Sequence, residues 1–281
     1  MPYQAYLDTL SRPRAGVYQR VFRTETDAET TGAILWSQAM ASSLQSLALT
    51  FEVVLRNRVH VSLSRQASMA RGQSSSSSFA WYDHYQGWMK LHGETGEKVE
   101  KILCANSGVR LTTLPTPDRV IASLSFGVWP NVLDSQLPTA AIEATTYGDV
   151  FPAHPKANRH WKFKDNRKST VAVIKDVQTW RNRLSHCKPM WTEGWFRNSH
   201  GQRWTDMLQR LMSRRQQILE VMSWMCPQTA DVHTQSFQGK LFDQLAQDAA
   251  VWAHISQPLA PWIDGKPIAH DDGLVSYKQR P

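Results

Sequence analysis

Arg181 and His186 stand five residues apart in the segment Arg181-Asn182-Arg183-Leu184-Ser185-His186. The first carries a guanidinium that is always charged, and the second an imidazole that exchanges protons near neutral pH. Those are the two parts needed to cut a phosphodiester without a metal. Arginine neutralises the phosphate as charge builds on it, and histidine moves the proton of the attacking hydroxyl or the leaving oxygen. Asn182 can orient the imidazole or the substrate, and Arg183 and Lys188 are candidate supporting groups. Alone, the segment is a weak signal, because Arg and His fall at this spacing by chance in many chains. A histidine near a helix C-terminus is also favoured by the helix dipole, and an arginine there commonly makes a surface ion pair.

A second row lies earlier. Glu52, Arg56 and His60 stand four residues apart, one above the next on a helix, with Asn57 beside them. The plain reading is a surface ion pair or a tie between helices; the sharper one is a functional row beside a cleft.

Two expected helices must position these groups. The first runs from about Ala33 to Arg65, with Leu44, Leu47, Ala48, Phe51, Val54 and Leu55 at three- and four-residue steps. The second runs from about Ser169 to Ser185, with Val171, Ile174, Val177, Trp180 or Arg181, and Leu184 on one face, until Pro189 prevents continuation. Five residues of helix amount to about 7.5 Å of rise and roughly 140° of rotation. Within one copy, therefore, Arg181 and His186 do not share a face. Either the long arginine curls toward the histidine, or a two-fold axis brings Arg181 of one copy to His186 of another.

Further helices are expected over 87–105 (weakened by Gly93 and Gly96), from near Arg119 with Thr116 or Asp118 as cap, over 204–225 until Pro227, and over 237–255. Gly127, in the apolar run Val120 to Trp129, signals close packing or a kink. Pro130, Pro138, Pro152 and Pro155 imply short helices and loops. Ser74 to Ser78 read as a flexible loop within about 71–79, and 256–281 as a polar tail. Lys162 to Arg167 is strongly basic. Strand signals are sparse, so the expected fold is all-α in a single domain over 1–281.

The 281 residues carry 32 Lys and Arg against 24 acidic residues, a formal charge of +8 that favours polyanion partners. Cys104, Cys187 and Cys226 form no CxxC pair, which argues against a cysteine zinc cage and a disulfide scaffold, and points to a reducing cytoplasm. The first residues lack a signal-peptide pattern, and no apolar run reaches the roughly 18 residues of a membrane span. His154 and His160 read as loop residues rather than metal ligands. Most of the 12 tryptophans read as core rather than as stacking platforms.

Several segments together resemble one family. Phe51 to His60 resembles its Glu-Val-x-Leu-Arg-Asn helix, and Ile121 to Trp129 its Leu-Ser-Phe-Gly-Phe-Trp segment. Phe151-Pro152, the tract Trp180 to Pro189 and the terminal Arg280-Pro281 resemble its Phe-Pro, Arg-Asn-Arg-Ile-Ala-His-His-Glu-Pro and Arg-Pro elements. This is the Abi-like (abortive infection) family of the HEPN superfamily. The resemblance implies a HEPN-type helical bundle with additional helices and long loops. It implies a metal-independent RNA endonuclease without cofactor, acting in phage defence or as a toxin. Two-copy clefts are usual in that superfamily, so a homodimer with a composite site is expected. The motif falls on Arg181, Asn182 and His186, with Glu52, Arg56, Asn57, Arg183 and Lys188 as supporting or RNA-binding candidates. Ser185, Cys187 and Lys188 depart from the family tract and make the cleft more basic. Two other readings stay open: a non-catalytic RNA- or partner-binding helical module, and a toxin held inactive by an antitoxin or regulatory protein.

Overall fold

The computed structural model describes residues 2–86, 88–191, 204–259, 262–263 and 266–267, without the side chains of 157, 158, 204, 205 and the last four. The fold is all-α. In chain order the helices are α1 (Pro2–Leu10), α2 (Arg12–Phe22), α3 (Asp27–Ala70), α4 (Gly93–Leu103), α5 (Pro117–Ser123), α6 (Val128–Asn131) and α7 (Ala140–Val150). They continue with α8 (Ala157–Trp161), α9 (Lys164–Ser185), α10 (Trp204–Met225), α11 (Pro227–Gln235), α12 (Phe237–Leu245) and α13 (Asp248–Ser256). Among the described residues, extended pairing is limited to Trp262–Ile263 with Lys266–Pro267 and one bridge between Cys104 and Arg110. No helix among them is long and apolar enough to cross a membrane.

The chain forms two compact units, residues 1–48, 180–217 and 231–281, and residues 49–179 and 218–230. In the first unit Trp36 and Trp191 are buried with Tyr18 and Phe22, at ring-centroid distances of 5.4 to 6.0 Å. The Trp36 indole donates to the Leu245 carbonyl at 3.0 Å, which satisfies the one polar atom of a fully buried ring. Gly32 lets α3 meet α13 at backbone distance, since a Cβ there would collide with the His254 carbonyl oxygen. Arg215 joins α10 to α12 through Asp243 at 3.0 Å and the Phe242 ring at 4.5 Å.

In the second unit Tyr147, Phe151 and Trp161 form a ring cluster with centroids 5.2 to 5.9 Å apart. His154, which is buried, stacks on His160 at 4.0 Å and meets Trp224 edge-on. His160 lies on α8, not in a loop, because packing against Trp161 fixes it. Gly127 does admit a close neighbour, the Gln178 amide.

Local chemistry explains where elements begin. Helix α3 starts six residues before the expected Ala33, because Thr26 and Glu29 form a capping box: Glu29 N–H donates to Thr26 Oγ1 at 3.2 Å, and Thr26 N–H donates to Glu29 Oε2 at 3.1 Å. Helix α4 begins only at Gly93, whose φ of 56° ends the preceding segment. Thr116 occupies the cap position of α5 but its side chain makes no capping bond. The serine run is hydrogen-bonded rather than loose, with Ser76 N–H donating to Ser68 Oγ at 3.0 Å and Ser78 Oγ to Asp118 at 3.0 Å. Pro227 opens α11, a helix that the proline had hidden in the sequence. The expected helix over 237–255 is two helices broken at Ala246 and Gln247. The tail beyond Leu259, apart from the short pairing, lies outside the described residues, as do Trp195 and Arg280-Pro281.

Candidate functional site

The end of α9 carries the motif in the first unit. Three hydrogen bonds close the helix there: His186 N–H to the Asn182 carbonyl at 3.1 Å, Cys187 N–H to Leu184 at 3.0 Å, and Lys188 N–H to Arg183 at 2.8 Å. The last two bonds, with Cys187 at a left-handed φ of 49°, make a Schellman cap. His186 is therefore the C-cap residue, one position before the chain turns. Its imidazole is exposed, as are Asn182, Cys187 and Lys188, whereas Arg181 is half-buried.

The chain beyond the cap is anchored from inside. Arg183 donates through Nε to the Pro189 carbonyl at 2.7 Å and through Nη2 to the Trp191 carbonyl at 2.6 Å. Burial pushes its guanidinium below the usual arginine range. Arg183 is thus committed to holding the segment after the turn, the supporting one of the two expected roles. Arg14 on α2 donates to the Cys187 carbonyl, and Met190 and Trp191 are buried in the first-unit core. The backbone of His186 is held on both sides while its ring faces solvent. Arg14 and Trp191 were not legible as site residues, because the first acts from 173 positions away and the second resembles any core aromatic.

The remaining candidates lie on α3 in the second unit. Glu52 is buried at 8% exposure. Arg56 is half-buried and directs Nε toward Asn57 Oδ1 at 3.4 Å. Asn57 is exposed and lines a groove of about 250 Å³ with Arg58, Val61, Ser62, Arg65 and Asp149. Ser62 donates to Asp149 at 2.8 Å, which joins α3 to α7 there. The groove residues follow Asn57 at four-residue steps through Val61 and Arg65, a pattern present in the sequence but outweighed by the Glu52–Arg56–His60 row.

His60 does not extend that row into solvent. It is 4% exposed and accepts the Trp81 indole N–H at Nδ1, 3.0 Å away. That bond sets the tautomer with its proton on Nε2, which lies 3.4 Å from Asp118. Burial lowers the His60 pKa, and Asp118 only partly opposes it. His60 is a structural histidine, neutral inside the second unit.

Among the described residues no group of three or more His, Cys, Asp or Glu is arranged to hold a metal ion. The geometry therefore offers, at the end of α9, one exposed imidazole on a fixed backbone, one guanidinium a turn and a half earlier, and an exposed amide and ammonium around them. Compared with family models, curated proteins and solved structures, the chain matches none of them.

Proposed function

We propose that the chain is an RNA endonuclease that needs no metal, with Arg181, Asn182 and His186 as its reacting groups. The observation that carries this reading is the end of α9, where an exposed His186 is held by a Schellman cap a turn and a half beyond Arg181. The ordered resemblance to Abi-like HEPN segments and the charge of +8 support it. In the proposed step the ribose 2′-hydroxyl attacks the adjacent phosphorus and gives up its proton. The bond to the 5′-oxygen breaks, and that oxygen takes a proton. His186 serves as base or acid, and Arg181 holds the non-bridging oxygens. The products are a 2′,3′-cyclic phosphate and a 5′-hydroxyl, and DNA, which lacks the nucleophile, is spared.

Two copies would each give Arg181 to the other's His186, because the two side chains lie on different faces of α9. Phage defence or toxin action is the biological setting of this reading, with an antitoxin or regulatory protein as a further partner.

Cellular RNA incubated with the purified chain and a chelator tests the enzyme. The native chain should cut RNA and leave DNA intact. His186→Ala and Arg181→Ala should each lose cutting by about a hundredfold or more. RNA binding without cutting by the native chain would replace the enzyme by a binding module. Mixing the two inactive variants tests the shared site. Hetero-dimers retain one complete Arg181–His186 pair, so roughly a quarter of native activity should return after subunit exchange. No recovery would place both groups in one copy.

A further inference from the structure

We propose that the basic stretch 156–168, which spans α8 and the first turns of α9, is a docking surface for single-stranded nucleic acid, with Phe163 as the platform for one base. The proposal asserts binding, not cleavage, and stands without the nuclease reading.

Along the stretch Lys156, Arg159, Lys162, Lys164, Arg167 and Lys168 set six cations against the carboxylate of Asp165, and of the two carboxylates that line the hollow beside Lys164 and Lys168, Glu143 pairs with Arg167 and Asp134 with Lys175. Arg167 is spent inside the unit, on Glu143 at 2.6 Å and the Trp161 carbonyl at 2.6 Å. The other five are exposed, and none has an ion-pair partner among the described residues. Phe163 sits in their midst at 59% exposure. The neighbouring rings, Trp161, Tyr147 and Phe151, are buried against one another, and Phe163 makes no ring contact with them.

Two physical arguments give this surface a partner. Lys164 and Lys168 lie in the first turns of a 22-residue helix, where the dipole is already positive and cations are unfavourable. That charge costs the free chain stability and is relieved by an anion. An exposed phenyl among cations also matches a polymer that alternates phosphates with flat, stackable bases. A duplex keeps its bases stacked within itself, so the fit is to a single strand.

The test is fluorescence anisotropy with a labelled single-stranded RNA of about 12 nucleotides, measured on the His186→Ala chain so that the probe survives. Phe163→Ala should weaken binding by about five- to a hundredfold while leaving the salt dependence unchanged. Phe163→Trp should retain the affinity. The pair Lys164→Glu and Lys168→Glu should weaken binding at least about tenfold and flatten the log–log salt slope by about 0.7 for each phosphate no longer neutralised. The same pair should leave the thermal midpoint of the free chain unchanged or higher, because it removes an unfavourable dipole interaction. Unaltered affinity in both variants overturns the proposal. So does equal binding of duplex RNA together with a harmless Phe163→Ala, or attachment to phosphatidylserine vesicles in place of RNA. Loss of binding in these variants with no cleavage by the native chain would keep this surface and reject the nuclease; cleavage with unaltered binding would do the reverse.

Discussion

His186 combines an exposed imidazole with a backbone held by its own cap, by Arg14 and by the buried Trp191. A proton-transferring group needs that combination, since misplacement by about 1 Å is enough to cost a hundredfold in rate. The turn is made under strain, however. Cys187 adopts φ 49°, a left-handed conformation that costs an L-residue roughly 1–2 kcal/mol and glycine almost nothing. Cys187→Gly should therefore stabilise the chain by about 1 kcal/mol, seen as a higher urea midpoint. The Cys187 carbonyl that receives Arg14 is unchanged by that substitution. A lower midpoint would mean that the thiol contributes packing that its exposure does not indicate.

At the scale of elements, close approach of backbones is decisive. The Cβ of Gly32→Ala would press into the His254 carbonyl, where no flexible side chain can yield. The variant should lose about 3 kcal/mol or more, at the upper end of overpacking costs, measured by denaturant unfolding. A change below about 1 kcal/mol would contradict the packing of α3 on α13. Here the sequence shows its reach and its limits. The amphipathic stripe Leu208, Leu211, Leu219 and Met222 with Pro227 marks α10 and its end at Met225. The break between α12 and α13 has no local mark, since Leu245-Ala246-Gln247-Asp248 contains neither Pro nor Gly. The distant Trp36 indole binds the Leu245 carbonyl at that point. The same holds for the site. Arg181 and His186 are visible by residue type and spacing, while the turn beside them is hidden because a cysteine takes the place glycine usually marks. The burial of His60 depends on Trp81, and no helical periodicity reveals it.

At the scale of the whole molecule, five histidines among the described residues share one electrostatic condition. His60, His154, His160, His233 and His254 all have pKa values lowered by burial. Lys156 adds to this at His154 and His160, and Arg215 at His233, whereas Asp118 opposes it at His60 and the Ala250 carbonyl at His254. Below about pH 6.5 the unfolded chain takes up protons on these rings before the folded chain does. Stability is therefore full above that pH and falls as the pH drops through the lowered folded values. The lowered carboxylates Glu29 and Glu94 act in the same direction only at more acidic pH. The thermal midpoint should be lower at pH 5.5 than at pH 7.5 by linkage of these histidines, about one pH step either side of their unfolded value. A midpoint that rises on acidification would show that these rings are not buried neutral. The central claim concerns the end of α9, and it is tested most directly by the chemistry of the cut ends. Mapping the RNA termini left by the native chain in chelator should find 2′,3′-cyclic phosphates and 5′-hydroxyls that disappear with His186→Ala. Intact RNA with the native chain, or the same cut ends with His186→Ala, would contradict it.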